Sequence, residues 1–403
     1  MKTIFCLLII LLPLLVNGQY TGTGSVTQGG GMTTDSNLYS CSGGRITNVG
    51  TITASDNSVW TVPADVNFMN ASFPFAFDLY NSCNGATHAT SADAIAALNG
   101  SDIITIDSSG ELITAFIFAD NYFEMFINGV PVGKDNVPYT QFNSNIIRFK
   151  VNRPFTVAML LVDWEEHLGV GCENNNGFEY HMGDGGMVAV FEDANNNIIE
   201  TTRSNWKAQT FYTSPIIDLG CPTENGLLRL SNNCGTQDSN NGTSYYGLHW
   251  SIPSNWMNSS FDDSSWPSAT TYTNDVVGVN NKPAYTNFTN IFDAPSNDAQ
   301  FIWSTNLILD NEVIVRCTVG ISNSIFQDKI NLQLAYPFPN PFNEKINLLN
   351  KGGKEFYELY NEIGENIFSG IQIEQQDFSN LVDGVYFLKV ITPNTMQTFK
   401  LIK

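Results

Sequence analysis

Positive charge is what this 403-residue chain has least of: 18 Lys and Arg stand against 39 Asp and Glu, for a formal net charge of −21. Beyond Gly320 there are 7 basic and 9 acidic residues, so 11 and 30 remain upstream and the acid excess sits in the first three quarters. Such a surface repels nucleic acid and anionic lipid. Other absences narrow the chemistry. No Cys-x-x-Cys pair occurs, which removes the usual zinc and thiol-redox signatures. Gly-x-Ser-x-Gly and Gly-x-x-x-x-Gly-Lys are missing as well, so neither a nucleophile elbow nor a phosphate-cradling loop is encoded. After the first apolar stretch no second run is long enough to span a bilayer of about 30 Å.

What is present begins with an export leader. Lys2 precedes an apolar run over residues 4–16, and Val16-Asn17-Gly18 fits a signal-peptidase site, with Gln19 as the expected mature start. Cys6 lies inside this run. Six cysteines follow: Cys41, Cys83, Cys172, Cys221, Cys234 and Cys317. An even number in an exported chain favours disulfides, and six allow 15 pairings that sequence does not separate. Cys221 and Cys234 are close enough to staple one loop.

Residues 19–35 are Gly-, Thr- and Ser-rich and read as a flexible leader. Between 36 and 320, short runs rich in Val, Ile, Phe and Tyr alternate with Asn, Gly, Asp and Pro clusters. Residues 113–118, 122–127, 146–151, 156–162, 187–191 and 313–319 are expected strands, and 91–98 is the one expected helix. Within 122–127, Phe123, Met125 and Ile127 share one face and Tyr122, Glu124 and Phe126 the other, with Asn128-Gly129 as a hairpin turn. The pattern predicts an all-β chain built as a β-sandwich or jelly roll, in one elaborated domain or two with a seam at 218–243. A linker over 321–335 then meets three prolines within 336–342, which are expected to stop strand pairing. Runs at 345–349, 355–360, 385–391 and 398–402 suit a small antiparallel module over 336–403.

That module carries specific motifs. Tyr336-Pro-Phe-Pro-Asn-Pro-Phe-Asn343, Tyr357-Glu-Leu-Tyr-Asn-Glu-Ile-Gly364, the stretch from Phe378 to Val390 and the terminal Lys400-Leu-Ile-Lys403 follow one another in order. Together they resemble the type A C-terminal sorting domain of the type IX secretion system of Bacteroidota. The resemblance implies Sec-dependent passage, then delivery by the type IX machinery to the outer surface or beyond. Pro339, Asn340, Pro341, Phe342, Gly364, Gly384, Tyr386 and Lys400 are its motif residues. Phe342 is expected to anchor on the small sheet, and Gly364 and Gly384 to supply turns with positive φ.

Three pieces of the middle resemble galactose-binding-like jelly-roll modules: residues 115–129, Ser204-Asn-Trp-Lys207, and Phe261-Asp-Asp-Ser-Ser-Trp-Pro-Ser-Ala269. Ile302-Trp303 followed by Arg316 looks like their closing strand pair. In the third piece the aspartates and serine cap a tight turn while Trp266 plugs the sandwich end. The resemblance carries fold more than activity, and it implies Ca²⁺ as a structural cofactor.

One constellation stands out as a site. Asp163-Trp164-Glu165-Glu166-His167 follows an apolar strand, with Glu173, His181 and Asp184 downstream; loops at strand ends carry function more often than strands do. Asp163, Trp164, Glu165, Glu166, His167, His181 and Asp184 are therefore the expected ligand-binding residues, and Asp163, Glu165 and Asp184 the expected metal ligands. No residue is assigned a catalytic role, because a glycosidase needs two facing carboxylates about 5–9.5 Å apart and spacing in sequence shows no such facing. Trp60, Trp164, Trp250, Trp256, Tyr245 and Tyr246 are candidate platforms for stacking on a sugar, with core packing the competing role for each. The expected function is a secreted or surface-held, non-enzymatic protein that binds a glycan, such as a cell-surface polysaccharide, or another extracellular ligand, with Ca²⁺ support. A secreted polysaccharide hydrolase and a matrix or adhesion protein without a small ligand are the alternatives.

Overall fold

The computed structural model of the chain describes residues 19–42, 44–139, 142–320, 336–349, 355–391 and 396–403. The expected leader peptide over 1–18 and linker over 321–335 lie outside the described residues. The chain divides at Gly320 into two compact units.

The first unit is a sandwich of two sheets. One sheet has seven antiparallel strands in the order Ser25–Gln28, Tyr246–His249, Lys207–Ile216, Asp310–Val319, Phe155–Val162, Tyr122–Ile127 and Val130–Lys134. The other runs Thr270–Tyr272, Phe301–Trp303, Gly186–Glu192, Glu111–Asp120, Ser144–Val151, Phe77–Asn81 and Ala86–Thr87. Ile198–Thr201 and Ile103–Thr105 pair with it off that path. Phe123, Met125, Ile127, Val157, Met159, Leu161, Val313 and Val315 face Ile113, Ala115, Ile117 and Ala189 in the core between the sheets. Alternate residues of the same strands, Tyr122, Phe126, Ala158, Leu160 and Val162, are covered by a second cluster holding Phe68, Phe73, Trp164, Trp250, Trp256 and Trp266. Burial on both faces is why Phe155–Val162 reads as an unbroken apolar run.

The two quoted jelly-roll motifs place this cover. Trp206 is fully buried where the Lys207–Ile216 strand starts. Asp262 accepts from the Ser264 amide at 3.0 Å, capping the turn, and Trp266 packs on Phe211 and Phe261. Arg316 is 2 % exposed and pairs with Asp263 at 2.7 Å. Its guanidinium also donates to the carbonyls of Trp256, Asn258 and Phe261, so one side chain ties the cover loop to a central strand. Phe301–Trp303 and Asp310–Val319 do not form the expected closing pair. They belong to opposite sheets, because the short loop between them crosses the sandwich.

Other expectations are corrected. Residues 19–35 are not a loose leader: Ser25–Gln28 is the edge strand beside Tyr246–His249, and Met32–Asp35 pairs with Val49–Thr53. Strand addition needs only backbone donors and acceptors, so low apolar content does not forbid it. Residues 218–243 form no seam, since the unit continues through them; they hold the Thr223–Asn225/Leu228–Leu230 hairpin, stapled by Cys221–Cys234. Cys41 bonds Cys83, while Cys172 and Cys317 are free thiols. Cys172 packs among Val170, Met182 and Leu309 and behaves there as a small apolar residue. The helix is present at Ser91–Ala97, capped by Thr90, and Asn128-Gly129 turns with φ of 50° and 86°.

The second unit has a four-stranded antiparallel sheet, Asn366–Gly370, Phe356–Asn361, Val385–Ile391 and Met396–Ile402. Phe342, Tyr357, Leu359, Phe378, Tyr386, Leu388 and Leu401 make its core, so all four quoted segments meet there. Phe342 is 3 % exposed and packs edge-on against Phe378 and Tyr386. Asn340 bonds the last strand like a backbone partner: its amide donates to the Lys400 carbonyl at 3.0 Å and its oxygen accepts from Ile402 N at 2.8 Å. Contrary to expectation, the proline-rich entry does pair, Tyr336–Phe338 against Asn347–Leu349. A two-stranded ribbon leaves each strand an open edge, where a missing N–H does no harm. Gly364 has φ of 82°, as a left-handed turn requires, but Gly384 is not among the positive-φ residues. Gly384 instead exchanges backbone hydrogen bonds with Lys403.

Candidate functional site

Four segments of the first unit bring carboxylates together at one end of the sandwich. Asp120 closes the Glu111–Asp120 strand, where the chain crosses from one sheet to the other. Asp163 follows the Phe155–Val162 strand, and its amide donates to the Asn311 carbonyl at 2.9 Å. Asn121 joins the two ends, since its side-chain oxygen accepts from Trp164 N at 2.7 Å and its amide donates to Asp120 at 2.8 Å. Glu173 enters on the Glu173–Asn175/Phe178–His181 hairpin, directly opposite His181. Asp184 lies just before Gly186, the ladder partner of Asp120.

The resulting cup is acidic and shut. Asp120, Asp163, Glu165 and Glu173 are all buried, and Asp184 is half-buried. Burial pushes Asp163 well above the usual carboxylate range, and Asp184 and Glu173 push it further. Burial does the same to Glu165, helped by Asp163 and Glu173, and to Asp120, helped by Asp184 and Asp163. Asp184 is raised to about 6, first by burial and then by Glu173. A hydrogen bond links Glu165 and Glu173, and burial raises both carboxyls. Arg45 binds Glu173 and Glu166, each at 3.1 Å, and partly offsets the repulsion. Asp163 Oδ2 has no hydrogen-bond partner although the residue is 2 % exposed. An unpaired buried carboxylate oxygen is costly to leave so. A Cβ at Gly183 would collide with Glu165 Oε1 and come within 3.6 Å of Asp163 Oδ1, so only glycine lets the Glu165 carboxylate pack this close to the backbone.

The seven expected ligand-binding residues split. Asp163, Glu165 and Asp184 do converge, joined by Asp120 and Glu173. Trp164 does not point outward; it is buried against Phe68 and Tyr122, with its indole donating to the Asn48 carbonyl at 3.0 Å. Glu166 and His167 sit on the outer side, held by Asn174 and by the Glu179 carbonyl. His181 pairs with Asp238 at 2.8 Å. Asp120 was not foreseen as part of the site. Its one sequence signal is an acid ending an apolar strand.

The aromatic platforms fare less well. Trp164, Trp250, Trp256 and Tyr245 are buried, while Trp60 and Tyr246 are half-buried. Trp60 stacks on His249, which stacks on Tyr212; burial lowers the His249 pKa to about 3.

A separate groove of about 540 Å³ opens beside the edge strand Thr270–Tyr272. Tyr272, Asn274, Asp275, Asp293, Asp298 and Gln300 line it. Asn274 bonds Asp293 at 3.3 Å, and the Tyr272 hydroxyl donates to the Ser304 carbonyl at 2.8 Å. Beneath this polar rim the helical turns insert Val277, Tyr285, Ile291 and Phe292 into the main core, which holds the rim in place. Sequence reasoning missed the groove; the Asn- and Asp-rich spacing over 273–300 was its only trace.

Comparison with known families matches residues 337–403 to the secretion system C-terminal sorting domain. The chain is thus marked for export by the type IX system to the cell surface or the extracellular space. Among the described residues no helix is long and apolar enough to cross a membrane. No curated protein and no solved structure matches the chain. The galactose-binding-like resemblance of the body therefore rests on its motifs and on the sandwich alone.

Proposed function

We propose that the body is a non-enzymatic ligand-binding module, delivered outside the cell by its sorting domain, and that its groove takes a polyhydroxylated ligand such as a glycan chain. The groove carries this reading. Its rim offers carboxylate and amide oxygens as acceptors for hydroxyl protons, amide N–H groups as donors, and the Tyr272 ring as an apolar face. Asp275, Asp293 and Asp298 disfavour sulfated or uronic polymers, so neutral glycans are the expected class.

The test is binding of the purified full chain to a panel of neutral and acidic glycans. Asp293→Ala and Gln300→Ala should each weaken capture of a neutral glycan by roughly tenfold, the equivalent of about 1.4 kcal/mol, with melting unchanged. Binding indifferent to both substitutions would remove the groove from the account. Release of reducing ends would support the hydrolase reading instead, and failure to bind any glycan the adhesion reading.

A further inference from the structure

At the edge of the seven-stranded sheet, pairing of Tyr122–Ile127 with Val130–Lys134 sets Glu124 directly opposite Lys134. Glu124 is 1 % exposed and Lys134 0 %, and such residues are almost never buried so fully unless paired. Among the described residues no ion pair joins these two. Both turn instead to Asn67, a half-buried loop residue. The Asn67 side-chain amide donates to Glu124 Oε2 at 2.9 Å, and its main-chain N–H donates to Oε1. Lys134 Nζ donates to the main-chain carbonyl of Asn67 at 2.7 Å, and to those of Phe68 and Asn70 at 2.8 and 2.9 Å. The Asn67 side-chain oxygen accepts from the Asn70 amide at 3.2 Å. Phe73 and Phe75 cover Nζ, the nearer ring centroid at 4.4 Å, and the Tyr122 hydroxyl donates to Glu124 Oε1 at 3.1 Å. An amine, a carboxamide and a carboxyl group thus meet behind aromatic rings.

We infer that Lys134 and Asn67 become joined by an intramolecular isopeptide bond, with Glu124 carrying the protons. The neutral amine is the nucleophile: Nζ bonds to Asn67 Cγ, the Cγ–Nδ2 bond breaks, and Nδ2 leaves as ammonia. Glu124, already hydrogen-bonded to Nδ2, gives that nitrogen its proton and receives the one that Nζ sheds. The Asn70 amide stabilises the oxygen of the tetrahedral intermediate. The atoms balance without oxidant or reductant, since amine and primary amide become secondary amide and ammonia. Burial favours both forms required, because it lowers the Lys134 pKa and raises that of Glu124. The three carbonyls hold Nζ beside residue 67 until its proton is lost. The lone pair then turns from the main-chain carbonyl of Asn67 to the side-chain carbon of the same residue. Partial exposure of Asn67 gives ammonia a way out. The bond fastens the lobe enclosed by the Cys41–Cys83 disulfide to an edge strand, and no reductant opens it, which suits a chain delivered outside the cell.

The test is peptide mapping of the purified full chain by mass spectrometry. In the wild type a branched peptide should join the segments around residues 67 and 134, lighter than the two separate peptides by one ammonia, about 17 Da. The branch itself is the readout, because cyclisation of a mature N-terminal Gln19 would shed the same mass from the intact chain. Lys134→Met and Glu124→Gln should yield only the two linear peptides. Asn67→Asp should restore the branch with loss of water in place of ammonia, a rescue that a purely structural role for Asn67 does not predict. Asp293→Ala in the groove should leave the branch intact, so this inference and the glycan reading stand or fall separately. Where a variant fails to fold, the wild-type map decides alone. Linear peptides in the wild type, or a branch that persists in Lys134→Met or Glu124→Gln, would overturn the inference.

Discussion

The two units of this chain solve the same problem, burying one face of a sheet, with opposite materials. The tail core is aromatic and aliphatic, built from Phe342, Leu359, Phe378, Tyr386 and Leu388. No cysteine occurs beyond Gly320. The body buries charge alongside its apolar core: Asp120, Asp135, Asp163, Glu165, Asp310, Glu312 and Arg316 are all below a tenth exposed. It adds two disulfides, one spanning 42 residues and the other 13. Among the described residues of the tail, Glu355 is the one charged side chain buried to that degree. A module that must hold a ligand accepts that cost where its function lies.

The contrast can be broken or sharpened by substitutions that touch one unit only. The largest effect belongs to Arg316. Replacing it with alanine leaves Asp263 without its partner, frees three carbonyls in the cover loop and opens a space beside Trp256. A loss of about 3–5 kcal/mol is expected in urea unfolding of the body. An equal loss in the unfolding transition of the tail would show that the two units do not unfold separately.

A smaller effect comes from the buried acid at Asp135. Burial raises its pKa to about 8; Oδ1 accepts from Val137 N and the Asn143 amide, while Oδ2 has no partner. A carboxyl whose folded pKa is raised binds more protons when folded than when unfolded. Its contribution is therefore complete below about pH 4 and is lost as pH rises toward 8. Glu312, also raised to about 8 by burial, acts with the same sign. His249 acts oppositely, since its lowered pKa removes stability as pH falls from about 6.5 toward 3. Body stability should thus decline between pH 6 and 8.5, by an amount on the order of a few kcal/mol. Asp135→Asn should flatten that decline in a series of pH-dependent melts.

How far each unit was legible in sequence follows from the same contrast. The tail was legible because its motifs are local and each ends in one core: Phe342, Tyr386 and the residues after Phe378 meet as expected. Its two surprises, strand pairing at Tyr336–Phe338 and the ordinary backbone at Gly384, concern backbone bonds, which side-chain identity reports poorly. In the body, strands and the Trp266 plug were readable from alternation and turn chemistry. The edge strand Ser25–Gln28 was not, because a strand recruited by backbone pairing has no apolar signature. Four of the five carboxylates of the acidic cup were readable, since Asp163, Glu165, Glu173 and Asp184 follow one apolar strand within a short stretch of sequence. Asp120 reaches it only through a sheet crossing, and the groove arises from four short helical turns whose packing no periodicity announces.

The division of labour itself is tested most directly by removing residues 336–403 and following the remaining chain by cell fractionation, with the melting of the purified body as a control. The truncated protein should collect in the periplasm, with its surface or medium fraction reduced at least tenfold, and should melt as the body does in the full chain. Normal delivery of the truncated form to the outside, or a body that no longer folds without those residues, would contradict the account.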